Sequence, residues 1–213
     1  MELLNNGAKI NACSDDDGSS SLYAACCMGH NDIVKLLLDK DADINLCNKS
    51  GTSPLAIACA NGHNATVHFL LSKCADVHAS DKRKQSPLYR ACSKGYTSIS
   101  EMLLKNGSDV NSCEENNITS LHIACINGHV NTVSLLLENG ANQNLCTKER
   151  HTPLYDACLN KHEQIAFILI NNGADVNLSD VKGKSPLHIA SLKKLDNLVK
   201  TLEKRVARPQ EQI

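Results

Sequence analysis

The sequence predicts an all-α chain built as a stack of repeated helix–turn–helix units, and three observations carry that prediction. First, SPLAIACANGH at 53–63 returns as SPLYRACSKGY at 86–96, TSLHIACINGH at 119–129 and TPLYDACLNKH at 152–162. SSLYAACCMGH at 20–30 precedes it and SPLHIASLKKL at 185–195 closes the series. Second, the leucine of each copy falls at 22, 55, 88, 121, 154 and 187, so every interval is 33 residues. A fixed period of that length marks supersecondary units that bury their apolar faces only against their neighbours. Third, the 213 residues contain no Trp and only 3% aromatic residues. A core of Leu, Ile, Val, Ala and Cys suits thin, stacked elements.

Each element of a unit has a local cause. Ser53 followed by Pro54 opens a helix, because a hydroxyl caps the free amides and proline fits the first turn. Leu55, Ile57, Ala58 and Cys59 continue it as a short apolar helix, and Asn61-Gly62 ends it. NATVHFLLSK is a second helix with Val67, Leu70 and Leu71 inward at helical spacing. Val34, Leu37, Leu38 and Val133, Leu136, Leu137 are the equivalents. GADVN or a variant follows, then a polar turn such as NKSG at 48–51. The unit reads as helix, tight turn, helix and hairpin-like loop.

The string G-x-T-P-L-H-x-A-x-x-x-G-H, then L-L-L-x-x-G-A-D-V-N, resembles the ankyrin repeat over about residues 1–202. That resemblance implies an ankyrin-repeat solenoid of stacked antiparallel helix pairs with projecting hairpin loops, and a concave groove lined by hairpins and first helices. Full repeats are expected at 15–47, 48–80, 81–113, 114–146 and 147–179, with a truncated terminal repeat at 180–207 and a polar tail at 208–213. Segment 1–13 reads as a half repeat holding only the second helix, since ELLNNGAKIN matches LLLKNGSDVN.

The chain departs from the family pattern in informative places. The glycine before A-D-V-N is replaced by Asp41 and Cys74, where strained or reshaped loops are expected. The turn glycine is replaced by Lys84, Asn117 and Arg150. A weaker double period sets Tyr23, Tyr89 and Tyr155 against Ala56, His122 and His188, and Ile33, Ile99 and Ile165 against Thr66 and Thr132. These alternating positions are expected on or near the groove.

Composition narrows the function. Net charge is −1, from 22 basic and 23 acidic residues, which argues against a general nucleic-acid or membrane-surface binder. No stretch approaches the ~18 apolar residues of a membrane span, and MELLNNGAKINA is not a signal peptide. Cytosol or nucleus is the expected compartment, and a monomer the expected state.

Five of the eleven cysteines share one helical register: Cys26, Cys59, Cys92, Cys125 and Cys158. They read as small buried hydrophobes in place of alanine. The C-x-x-x-H pairs Cys26/His30, Cys59/His63, Cys125/His129 and Cys158/His162 have metal-ligand spacing on a continuous helix. The repeat template itself generates that spacing, so a metal-binding or thiol-redox protein is the lesser reading. The turn histidine is expected to bond backbone across the inter-helix turn. His122 and His188 resemble the family's T-P-L-H histidine, with Thr119 and Ser185 as the matching hydroxyls; the resemblance implies that they tie adjacent units.

No G-x-S-x-G, Walker loop or singular Cys–His–Asn set appears. Neither a catalytic site nor a cofactor site is expected. What varies between units are the tips and the groove-facing first-helix positions. The candidate partner-binding residues are therefore Arg83, Lys84, Arg90, Ile126, Lys148, Arg150, His151, Asp156 and Leu159. The leading expectation is a non-catalytic scaffold that binds a protein partner through hairpin tips and groove. The alternative is a substrate receptor or array segment of a larger protein such as a ubiquitin-ligase adaptor. About eleven residues follow Leu202, too few for the added helical box that such receptors carry.

Overall fold

The computed structural model describes residues 9–206; residues 1–8 of the expected half repeat and the expected tail lie outside the described residues. The chain divides into two compact units, Met1–Asp109 and Val110–Ile213. The first holds α1 (Ser21–Met28), α2 (Asn31–Leu38), α3 (Pro54–Asn61), α4 (Asn64–Ser72), α5 (Pro87–Lys94) and α6 (Thr97–Lys105). The second holds α7 (Ser120–Ile126), α8 (Val130–Glu138), α9 (Pro153–Leu159), α10 (Glu163–Asn171), α11 (Pro186–Leu192) and α12 (Asp196–Val206). No strand occurs among the described residues. The expectation of an all-α chain of stacked helix pairs holds within each unit.

Within each unit, first helices pack on first helices and second on second. α1 lies against α3 and α3 against α5, while α2 lies against α4 and α4 against α6. The second unit repeats the arrangement, α7 on α9 on α11 and α8 on α10 on α12. Small side chains allow this approach: Ala25, Ala58 and Ala91, with Cys26, Cys59 and Cys92, are buried beside Leu22, Leu55 and Leu88. Ala124, Ala157, Cys125 and Cys158 serve the same purpose beside Leu121 and Leu154.

Local chemistry fixes the helix ends. The Ser53 hydroxyl accepts from the Ala56 amide at 3.1 Å, and Ser20, Ser86, Thr119, Thr152 and Ser185 cap their helices in the same way. Gly62 ends α3 in the left-handed region at φ 78°. A Cβ there would lie 2.7 Å from Cζ of Tyr96, the residue that opens the next repeat's second helix. His162 sits on Gly128 in the same manner, with Cε1 2.6 Å from the place a Cβ would take. The glycine thus serves both backbone conformation and repeat-to-repeat contact.

Asp41 and Cys74 keep the loop geometry that glycine has elsewhere. Their φ values are 62° and 60°. Ala42 and Ala75 bond back to Leu37 and Leu70 at 3.0 and 3.1 Å, as Ala141 does to Leu136 at 3.0 Å. The expected reshaping is absent, and left-handed strain of about 1–2 kcal/mol per residue is carried instead.

The A-D-V-N box forms a ladder that the sequence reading missed. The Asn11 side chain accepts from the Asp43 amide at 2.9 Å and Asn45 from the Asp76 amide at 3.0 Å. In the second unit Asn111 accepts from the Asn142 amide and Asn144 from the Asp175 amide, both at 2.8 Å. Members of the double period divide by burial: Ile99, Ile165, Thr66, Thr132 and His122 are buried, so alternation there is repacking between repeats, whereas Ile33 and His188 are exposed and Tyr23 and Tyr89 half-buried.

Candidate functional site

Each hairpin is organised by the side chain that opens it. Asn48 accepts from the amides of Ser50 and Thr52, both at 3.0 Å. Asp81 accepts from Arg83 at 2.8 Å and Gln85 at 2.9 Å, and Asp180 from Lys182 at 2.9 Å and Lys184 at 2.8 Å. Glu114 does the same for Asn116 and Ile118. Neighbouring tips are tied by one backbone bond each, Lys82 N to Ser50 O and Lys148 N to Asn116 O, both 3.0 Å. The tip residue is left-handed throughout: Gly51 and Gly183, but also Lys84 at 61° and Arg150 at 62°.

In the first unit, Arg83 and Lys84 stand exposed on the third repeat's tip. Arg90 does not join them as a free groove charge. Its Nη2 donates to Asp81 Oδ2 at 2.6 Å and to Thr52 Oγ1 at 3.3 Å, and its side chain is 20% exposed. The first-helix position reaches the base of its own hairpin, so Arg90 braces that loop.

In the second unit, Lys148 and Arg150 are exposed, whereas Ile126 and Leu159 are half-buried. His162 Nε2 of the following repeat donates to the Ile126 carbonyl at 3.1 Å. Asp156 is 3% exposed and is not a surface group. Its Oδ1 lies 3.5 Å from His151 Nδ1, and its Oδ2 has no partner. His151 stacks on Tyr155 with ring centroids 4.1 Å apart. Tyr155 donates its hydroxyl to Asp180 Oδ2 at 2.8 Å, so tyrosine supplies an inter-repeat tie where histidine does so elsewhere. Burial, then the Asp180 hydrogen bond, push the Tyr155 hydroxyl up to about 12. Burial alone would raise Asp180, but the Lys184 amide, the Tyr155 hydroxyl and the Lys182 amide outweigh it and hold the carboxyl low.

His122 makes the link expected of it. Its Nδ1 is 2.8 Å from Thr119 Oγ1, and its Nε2 donates to the His151 carbonyl of the next repeat at 3.1 Å. Burial lowers its pKa. The turn histidine, expected to bond across its own turn, reaches instead to the preceding repeat. His63 Nε2 donates to the Cys27 carbonyl at 2.9 Å.

The cysteines of the shared register are buried and free. Burial pushes the Cys26 and Cys158 thiols up to about 12 and also raises those of Cys59 and Cys125. In the Cys59/His63 and Cys158/His162 pairs the thiol is thus in the core and the imidazole on a carbonyl. Among the described residues, no three His, Cys, Asp or Glu side chains gather as a metal site would need. No described helix is long and apolar enough to cross a membrane.

Stacked helix pairs, hydroxyl caps, a ladder of inter-repeat bonds and variable exposed tips define a helical repeat protein. The profile of ankyrin repeats in three tandem copies matches residues 1–81, 41–113, 88–180 and 142–212, and the chain belongs to the ankyrin-repeat family. Proteins built from these repeats are generally protein–protein interaction modules and typically non-catalytic.

Proposed function

We infer that the chain is a non-catalytic scaffold that binds a protein partner through its hairpin tips, with the groove side of the first helices adding contact. The repeats would run 15–47, 48–80, 81–113, 114–146 and 147–179, ending in the shorter one from 180. The chain would act as a monomer in the cytosol or nucleus.

The observation that carries this reading is the conformation of Lys84 and Arg150. Both are exposed basic residues held left-handed at a position where Gly51 and Gly183 sit without strain. A turn needs only the glycine; a long cationic side chain there costs about 1–2 kcal/mol. Strain that persists on a surface loop points to use of the side chain. Arg83 neighbours Lys84 on one tip and Lys148 neighbours Arg150 on the other, so each tip by itself suits an acidic group of a partner. His151 lies at the base of its tip. Ile126 and Leu159 offer half-buried apolar area, while Arg90 and Asp156 support the loops from beneath.

Affinity capture with the chain as bait tests this, against a variant carrying Arg83→Glu, Lys84→Glu, Lys148→Glu and Arg150→Glu. A partner recovered by the native chain should bind the variant at least ~10-fold more weakly, a change of ~1.4 kcal/mol. Ile126→Ser with Leu159→Ser should weaken it further. Leu121→Ala and Leu154→Ala are folding controls, each expected to cost about 2–5 kcal/mol of stability. Equal affinity for native chain and tip variant would remove the tips from recognition.

A further inference from the structure

The charges around His151 form a closed arrangement that the interaction reading does not use. Asp156 on α9 is buried with one oxygen unpartnered and the other 3.5 Å from His151 Nδ1. That distance is at the outer limit of a hydrogen bond, and a carboxylate left there without a countercharge is costly. The His151 side chain is 26% exposed, so it can exchange protons with solvent. Its backbone is held on three sides. The amide donates to Thr147 Oγ1 at 3.1 Å, and the carbonyl accepts from the Thr147 amide at 3.0 Å and from His122 Nε2 at 3.1 Å. Its ring face lies on Tyr155, which is itself bonded to Asp180 of the next repeat.

We propose that His151 is a proton-operated latch. Charged, it pairs with the buried Asp156 carboxylate and fastens the 147–151 hairpin to α9; neutral, it leaves that carboxylate without a countercharge and the hairpin opens more readily.

The ionisable groups facing the imidazole agree with this. The Asp156 hydrogen bond raises the His151 pKa above 6.5; burial opposes, and the charges of Asp156, Asp180 and Glu149 add to the rise. Lys148 and Arg150 flank it on the exposed tip. A folded value above the unfolded one means that the stabilisation is complete below the ordinary imidazole value and is lost as pH rises through the raised one. His122 works in the opposite sense: burial lowers its value from 6.5, so protonating it at acid pH costs stability. The hairpin is therefore tightest between the lowered value of His122 and the raised value of His151.

The full chain tests the latch. In NMR titration, the His151 ring should titrate above an ordinary imidazole and the His122 ring below one. Exchange of the Thr147, Arg150 and His151 amides, corrected for base catalysis, should quicken by ~3-fold or more between pH 6 and pH 8 as the imidazole loses its charge. Asp156→Asn should abolish that dependence and lower the His151 midpoint, and His151→Gln should abolish it also. Glu149→Gln should leave most of it in place. A His151 midpoint at or below the ordinary value, or an unchanged pH dependence in Asp156→Asn, overturns the proposal. If Asp156→Asn does not fold, the two ring titrations in the native chain decide alone.

Discussion

Thiol labelling of the native chain should resolve into three groups. Cys26, Cys59, Cys92, Cys125 and Cys158 are fully buried between helices. Cys13, Cys74 and Cys113 are exposed, and Cys27, Cys47 and Cys146 lie between these extremes. The reagent attacks the thiolate, so burial acts twice, by hiding the sulfur and by suppressing its ionisation. At pH 8 a thiol at the ordinary 9.0 is about 10% ionised, whereas Cys26 and Cys158, at about 12, are about 0.01% ionised. That alone slows labelling about 1000-fold, before any requirement that the helices part. An aromatic disulfide reagent at pH 8 should therefore show three fast equivalents, three slower ones as burial and the raised Cys47 and Cys146 values dictate, and five that appear only with unfolding. Denaturant should release all eleven. Eight or more fast equivalents in the native chain would refute the packing of this register, and stoichiometric zinc in purified protein would refute its purely architectural role.

Two further outcomes follow from local geometry. Gly62→Ala should cost about 2–4 kcal/mol in urea unfolding, since it adds left-handed strain and drives a Cβ into the Tyr96 ring; a loss under ~0.5 kcal/mol would mean that the ring does not rest there. Asp17 is exposed, yet the Ser14 hydroxyl first, then the Ser19 hydroxyl and amide, hold it at about 2. Its folded value is below the unfolded one, so its contribution is present above the ordinary carboxylate value and is lost as pH falls toward 2. NMR should find the Asp17 midpoint near 2 and Ser14→Ala should raise it. A native midpoint at 3.8 would contradict the hairpin.

What the sequence determined was periodic. A 33-residue spacing of leucine, a hydroxyl before each first helix and glycine after four of the six are local signals. They gave helices, turns, family and buried cysteines, because capping and apolar spacing act over a few residues. What only the tertiary structure decided was where repeated side chains point between units. Asn45 and Asn144 look like loop polar residues until each is seen to accept an amide about one period away. Arg90 and Asp156 look like groove charges, but one braces Asp81 and the other is buried under His151. Asp41, Cys74, Lys84 and Arg150 adopt the left-handed conformation that glycine takes elsewhere, which the local propensity of none of them favours. An inter-repeat contact pairs residues about 30 apart, and no local propensity encodes which of two polar neighbours will meet across that distance.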